Sequence, residues 1–309
     1  MKKLWCILLI ISLLVFTGCS TAEDVPESAT DDSETAAAEE NTAARFTPDK
    51  TAVYEYETRE IWCENNGNRI YGKAYIPIIE GVEKFPLVIH AHGMGSNHEA
   101  GEAYCERYAE KGFAGYSFDF PGGSRPTTEN KSDGDPMEMT PVTEAADLQA
   151  VLDTALTWDF VDTDHIFLEG GSQGGLEAAM IGLDNPDKVK GMILHYPALY
   201  MPQIITSWYG DPDDVPDTIS FGEDYELSGQ FARDLFDVDV VSRLGDFTGN
   251  VIIIQGSEDE LVPAHYSEEA STIFPNCEYY VIEGSGHGFG GEDFETAVNY
   301  GLDYLYQNT

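Results

Sequence analysis

The chain has 309 residues, 42% of them hydrophobic, enough for one large domain or two small ones around a sizeable core. Only 16 Lys and Arg stand against 56 Asp and Glu, a formal charge of −40. So negative a surface repels nucleic acid and anionic headgroups, which excludes both as direct partners and favours solubility outside the cell or life in salt.

Lys2 and Lys3 precede an apolar run, Leu4 to Phe16, that is shorter than the roughly 20 residues a spanning helix needs. A positive start, an apolar middle and small residues after it make a secretory signal. The end of the run, Val15-Phe16-Thr17-Gly18-Cys19-Ser20, resembles the lipobox of bacterial lipoproteins, with Phe16 where leucine is usual. That resemblance implies a signal peptide over 1–18 and lipidation of Cys19 as the new N-terminus; the alternative is a plain signal cut near Gly18. The expectation is an exported protein on the outer side of a bacterial membrane, touching it only through acyl chains. Residues 20–50 carry nine acidic and two basic residues, one Phe and no apolar periodicity. Such a stretch cannot bury enough surface to offset its ordering entropy, so 19–50 reads as a lipidated, charge-extended tether and 51–309 as the folded domain.

From residue 53, short β-rich runs alternate with helical ones. "VYEYETREIWCE" and "NRIYGKAYIP", split by Asn65-Asn66-Gly67-Asn68, predict an opening hairpin. Strands "FPLVIHAHG", "FAGYSFDFPGG", "HIFLEGGS", "VKGMILHYP", "NVIIIQGS" and "EYYVIEGSGHGF" follow. Helices fit "NHEAGEAYCERYAEKG", "TEAADLQAVLDTALTW", "QGGLEAAMIGL", Pro263 to Ile273 and Glu292 to Tyr306. Continuous apolar strands separated by helices indicate an α/β fold of about eight mostly parallel strands, covered on both faces. Residues 197–249 break the rhythm, holding Tyr200, Met201, Trp208, Tyr209, Phe221, Tyr225, Phe231 and Phe236 among acids and prolines. An insertion of this kind reads as a lid over the strand ends.

Ser172 lies in Gly170-Gly171-Ser172-Gln173-Gly174, a G-x-S-x-G motif between a strand and a helix. The sharp turn tolerates no bulky neighbours: glycines at 170 and 174 let the backbone close up and leave the hydroxyl exposed. A serine needs a base to take its proton. Of seven histidines, His287 in "EGSGHGF" follows the last strand in a glycine-rich loop. His90 and His195 end strands and read as near-core groups, whereas His98, His165 and His265 read as surface or helix-start residues. The base in turn needs a carboxylate to fix its tautomer. "GSEDELVP" offers three, and Asp259 is chosen because Glu258 and Glu260 alternate away from it. Asp119 in "FDFPGG" is a rival acid whose strand position favours a structural turn role. Cys6 lies in the leader and Cys19 at the lipobox; Cys63, Cys105 and Cys277 are too widely spaced for a disulfide framework or a metal site and read as bland core or surface residues.

With "HAHGMGSN", "GGSQGG", "GSEDELVP" and "GSGHGF" in this order, residues 55–309 resemble the α/β-hydrolase superfamily. Within it, the HG-x-x-x-N loop, the G-x-SQGG elbow, the final GHGF and "LHYPALYMP" resemble bacterial cinnamoyl (feruloyl) esterases. The resemblance implies a serine carboxylesterase with no metal or cofactor, a Ser172–Asp259–His287 triad, and an oxyanion hole made by the backbone N–H groups of Met94 and Gln173. A small or polymer-linked ester, with hydroxycinnamoyl esters in view, is the expected substrate. Alternatives on the same fold are a prolyl oligopeptidase-like peptidase, an acyltransferase or a thioesterase. A binding module with a decayed site is disfavoured because all three triad positions are intact.

Overall fold

A computed structural model describes residues 46–221 and 225–309. The leader, Cys19 and residues 19–45 of the expected tether lie outside the described residues. Strands β1 (Glu55–Asn65) and β2 (Asn68–Ile78) form the opening hairpin. Its turn holds Asn66 and Gly67 at φ 50° and 87°, the two successive left-handed residues of a type I′ turn, which Asn-Gly suits.

β3 (Phe85–Ala91), α1 (Glu99–Ala109), β4 (Ala114–Phe118), α2 (Pro141–Ala155), β5 (Val161–Gly171), α3 (Gln173–Asp184) and β6 (Gly191–His195) then alternate. After the insertion come β9 (Asn250–Gly256), α6 (Ala264–Ile273), β10 (Cys277–Ile282) and α7 (Glu292–Asn308). The insertion itself carries α4 (Met201–Tyr209), a small hairpin of β7 (Thr218–Ser220) and β8 (Glu226–Ser228), and α5 (Gln230–Asp234). The main sheet has eight strands in the order β1-β2-β4-β3-β5-β6-β9-β10, with only β2 antiparallel to its neighbours. This is the mostly parallel sheet expected from the sequence, with the antiparallel hairpin at one edge.

Side-chain alternation feeds two cores. In β3, Leu87, Ile89 and Ala91 face the core shared with α2 and α3, while Val88 faces that of α1 and α7. Both faces are therefore dry, which is why these strands read as continuous apolar runs. The insertion has a third core of its own, built on Ile205, Leu227, Phe231 and Leu235. No helix among the described residues is long and apolar enough to cross a membrane.

The packed chain begins earlier than the expected boundary at residue 51. Phe46 is buried and meets the rings of Tyr54, Phe85 and Phe113 at 6.1–6.2 Å. It fills the space beside Gly112, where a Cβ would stand 2.0 Å from the ring. Lys50 bonds Asp303 of α7 at 2.7 Å. Residues 46–50 thus belong to the fold; their polar flanks hide a single aromatic anchor. Phe46→Ala is expected to cost about 3 kcal/mol, read as a lower Tm in thermal unfolding. A version beginning at residue 51 should show the same loss, and equal Tm values for 46–309 and 51–309 would contradict the anchor.

Candidate active site

Ser172 sits between the end of β5 and the start of α3, at φ 56° and ψ −119°. The left-handed backbone is costly for a serine, by about 1–3 kcal/mol, and persists only where its surroundings hold it. Here they do. A Cβ at Gly170 would stand 2.1 Å from the Gly174 carbonyl oxygen, and one at Gly174 would stand 2.1 Å from that of Ala91. Ser172 N–H donates to the His195 carbonyl at 3.0 Å, and the Ser172 carbonyl accepts from Gly175 and Ala198. The glycines permit a pinch that β3, β6 and α3 enforce.

The turn carries the hydroxyl to His287, whose Nε2 lies 3.0 Å from Ser172 Oγ. His287 Nδ1 lies 2.8 Å from Asp259 Oδ2. A carboxylate accepts, so Nδ1 carries the proton and Nε2 presents its lone pair to the serine. Asp259 is buried, while Glu258 and Glu260 point to solvent, as the alternation in the loop predicts. Its Oδ1 accepts the N–H groups of Leu261 and Val262 at 2.9 and 2.8 Å, and Oδ2 also accepts from Gln255 at 3.1 Å. The His287 ring rests edge-on against Tyr196 at 4.7 Å, and Phe289 braces Tyr196 from beyond at 4.9 Å. Sequence reading missed Tyr196; its φ of 37°, next to the end of β6, is the structural mark that singles it out.

Met94 lines the same cavity as Ser172, and Gln173 follows the serine directly. Gln173 is the first residue of α3, so its N–H belongs to the helix's unpaired first turn, where the dipole favours negative charge. Among the described residues Met94 N–H donates to no backbone carbonyl. Gly93 presses on the elbow, a Cβ there lying 3.3 Å from the Ser172 Cβ. The loop is braced by His92, which donates from Nδ1 to the Gly93 carbonyl at 2.9 Å and accepts the Phe120 N–H at Nε2. Burial holds its pKa down at about 4, so the ring stays neutral and keeps both roles.

The other histidines find different work. His90 Nδ1 and His195 Nε2 approach Glu169 at 2.8 and 2.9 Å, and Tyr108 donates to the same carboxylate at 2.5 Å. Burial opposes the charge on Glu169, but His195 and His90 overcome it and hold the group at about 2. Glu169 stands three residues before Ser172, so this cluster ties the elbow strand to β3, β6 and α1. His98 starts α1 as expected but is buried, with Nδ1 2.6 Å from Asp119 Oδ1. Asp119 also accepts the N–H groups of His98 and Lys131. This second Asp–His pair is the turn anchor expected of Asp119. His165 lies in β5 near Asp162, and His265 is exposed at the start of α6.

A cavity of about 260 Å³ opens on Ser172. The insertion lines it with Ala198, Tyr200, Met201, Ile204, Ile205, Trp208 and Phe221; Met94, Leu261, Val262 and Tyr266 complete it. Tyr225 and Phe231, also read from sequence as lid aromatics, are spent on the insertion's own core. Trp208 and Leu261 stay 66% and 70% exposed, so both sides of the rim are greasy. No group of three or more His, Cys, Asp or Glu among the described residues is placed to hold a metal ion.

Comparison with known proteins agrees with this architecture. The family described as serine aminopeptidase, S33 (Hydrolase_4) matches residues 83–211. The structure of Est1E from Butyrivibrio proteoclasticus with ferulic acid bound is similar, with a TM-score of 0.73 and 27% identity over 80% of this chain and 98% of that one. A monoacylglycerol lipase from Paleococcus ferrophilus shares the fold at a TM-score of 0.59 and 19% identity, over 78% of this chain and 99% of that one. The uncharacterized peptidase y4nA of Sinorhizobium fredii is 26% identical over 172 residues. That match takes in 52% of this chain, which spans only 22% of the length of that relative.

The two Asp–His pairs are separable by experiment. Asp119→Asn is expected to destabilise the fold by about 3 kcal/mol, because it weakens a buried three-donor anchor. Labelling of Ser172 by a fluorophosphonate should stay within about threefold of the wild type in folded protein. A loss of labelling equal to that of Asp259→Asn would mean that the pairs had been assigned the wrong way round.

Proposed function

We propose that this α/β-hydrolase, a serine hydrolase by its fold and its Ser–His–Asp relay, is a carboxylesterase that prefers esters of compact aromatic acids, hydroxycinnamoyl esters among them. The observation that carries the reading is the apolar cavity of about 260 Å³ opening on Ser172, lined by Tyr200, Phe221 and Tyr266. A volume of that size suits a single ring with a short arm better than a long acyl chain. The likeness to a structure holding ferulic acid supports the same class of acyl group.

The distances support the following chemistry. Ser172 Oγ attacks the ester carbonyl as His287 Nε2 removes its proton across 3.0 Å. The imidazolium that forms is stabilised by Asp259, whose own charge is served by three other N–H donors. Negative charge on the carbonyl oxygen falls to the N–H groups of Met94 and Gln173, each worth about 3 kcal/mol in the transition state. His287 returns its proton to the departing alcohol, and water then repeats the sequence on the acyl-enzyme.

A peptidase reading has support in the description of the matched family and in the curated relative. It requires an amide leaving group, whereas the described lining of the cavity and its exposed rim residues Trp208 and Leu261 are apolar, which favours an ester with an apolar acyl group. We extend the esterase reading to an exported enzyme tethered by a lipid at Cys19, supported by the lipobox-like "VFTGCS" and the acidic segment after it.

Comparing kcat/KM for methyl ferulate, p-nitrophenyl butyrate and a chromogenic Gly-Pro amide tests the class. The proposal expects ferulate to lead and Ser172→Ala to abolish turnover in a folded protein, while Asp259→Asn should lower kcat by about 10⁴. Amide cleavage without ester cleavage would replace the esterase by a peptidase. Cys19→Ser should release the chain from bacterial membranes, and undiminished retention would remove the lipid anchor.

A further inference from the structure

Beneath the oxyanion hole lies a polar cluster that the relay does not use. Glu144, in the first turn of α2, is 1% exposed, and Gln173 and Glu177 of α3 are fully buried. Gln173 donates from Nε2 to Glu144 Oε2 at 2.5 Å. The other oxygen, Glu144 Oε1, has no hydrogen-bond partner among the described residues, nor have Gln173 Oε1 and both oxygens of Glu177. Glu144 Oε1 lies against Gly123, where a Cβ would stand 2.5 Å from it. Gly123 in turn accepts the Gly95 N–H at its carbonyl (3.0 Å), and the Gly95 carbonyl accepts from Arg125 at 3.1 Å. Gly95 is the residue after Met94. One carboxyl therefore touches the side chain of one oxyanion donor and the backbone that holds the neighbour of the other.

We infer that Glu144 is a positioning residue for both halves of the oxyanion hole, its carboxyl wedged between the Gln173 side chain and Gly123 so that the Gln173 and Met94 N–H groups keep a common aim. The inference rests on the acyl-transfer reading of Ser172. It needs the carboxyl to stay where it is, and that depends on its charge. Among the described residues, Asp147 on α2, Glu177 on α3 and Tyr225 from the insertion are the titratable groups around it; Arg125 stacks over the Tyr225 ring at 5.5 Å and bonds no described carboxylate of the cluster. Asp147 is tied to Asn65 rather than to a cation. A buried carboxylate among acids, with one hydrogen-bond donor, is better off protonated. Burial accordingly pushes Glu144 up to about 8, with Asp147 adding to the rise and the Gln173 bond opposing it. The same burial drives Glu177 upward. The raised pKa favours the fold at low pH, and the benefit is lost as pH rises toward 8. Above that, an ionised Glu144 is driven from its wedge, and the two N–H groups lose alignment while the acyl cavity stays intact.

The test is the pH dependence of kcat and KM for the full chain on p-nitrophenyl butyrate from pH 6 to 9.5, with near-UV circular dichroism at each pH. For the wild type, kcat should fall about tenfold between pH 7.5 and 9.5 while KM changes less than twofold, the signature of a loss confined to the transition state. Glu144→Gln keeps the shape without the titrating proton. It should lower kcat about threefold at pH 7 and lose the alkaline fall, whereas Glu144→Ala should lose kcat at every pH, by about 10–100-fold. A wild-type kcat that is level to pH 9.5, or a Glu144→Gln profile with the same alkaline fall, overturns the inference. If Glu144→Gln fails to fold, Gly123→Ala, which displaces the carboxyl from the loop side, must lower kcat without raising KM, and a normal kcat in that variant also overturns it. If the wild type turns over no ester, the esterase reading fails separately. The same pH series is then read from fluorophosphonate labelling of Ser172, which relies on the same two N–H groups.

Discussion

A serine forced into left-handed backbone at the tip of β5 is the constraint around which this molecule is arranged. Left alone, a serine with φ at 56° relaxes toward an unstrained backbone. What prevents this is contact rather than a single strong bond. The backbone of Gly170 touches Gly174, that of Gly174 touches β3, and β6 accepts the Ser172 N–H. Each contact comes from a different strand or helix, so the parallel sheet must be assembled before the elbow can exist. Glu169, three residues upstream, fastens the same strand to β3, β6 and α1 through one ionised carboxylate. The site is thus a property of the sheet's centre, and the cap only covers it.

Three buried carboxyls around the elbow show how donor count governs charge in a dry interior. Asp259 is met by two backbone N–H groups, an amide and an imidazole. Glu169 is met by two imidazoles and a phenol and stays ionised well below neutral pH. Glu144 is met by one amide and sits near two other acids, so it keeps its proton. A chain carrying 56 acidic residues has placed its buried ones by this rule, with a charge where donors converge and a neutral acid where they do not.

The parts legible in the sequence are those written locally. Strand and helix order follows from apolar runs and glycine stops; Ser172 and His287 are marked by glycine-rich turns after strands; Asp259 is separated from Glu258 and Glu260 by loop alternation alone. The parts that were not legible depend on residues far apart in the chain. Phe46 looks like an incidental aromatic in an acidic tether until Phe85 and Phe113 are folded against it. Glu144 opens an unremarkable helix start, and nothing nearby in sequence says that it will meet Gln173, 29 residues on. The burial of His98, which reads only as a surface or helix-start residue, is not legible because its partner Asp119 lies just after β4, 21 residues on. Local pattern specifies elements and the turns that carry Ser172 and His287, and tertiary packing assigns the polar interior.

The three described cysteines, Cys63, Cys105 and Cys277, are unpaired, and burial raises each thiol, Cys277 to about 12. A protonated, enclosed thiol is a poor nucleophile and a poor partner in disulfide exchange. The fold described here therefore asks nothing of an oxidant as it forms, and a reductant finds no crosslink in it to break. Among the described residues, no stabilising contact is one that a thiol reductant could remove.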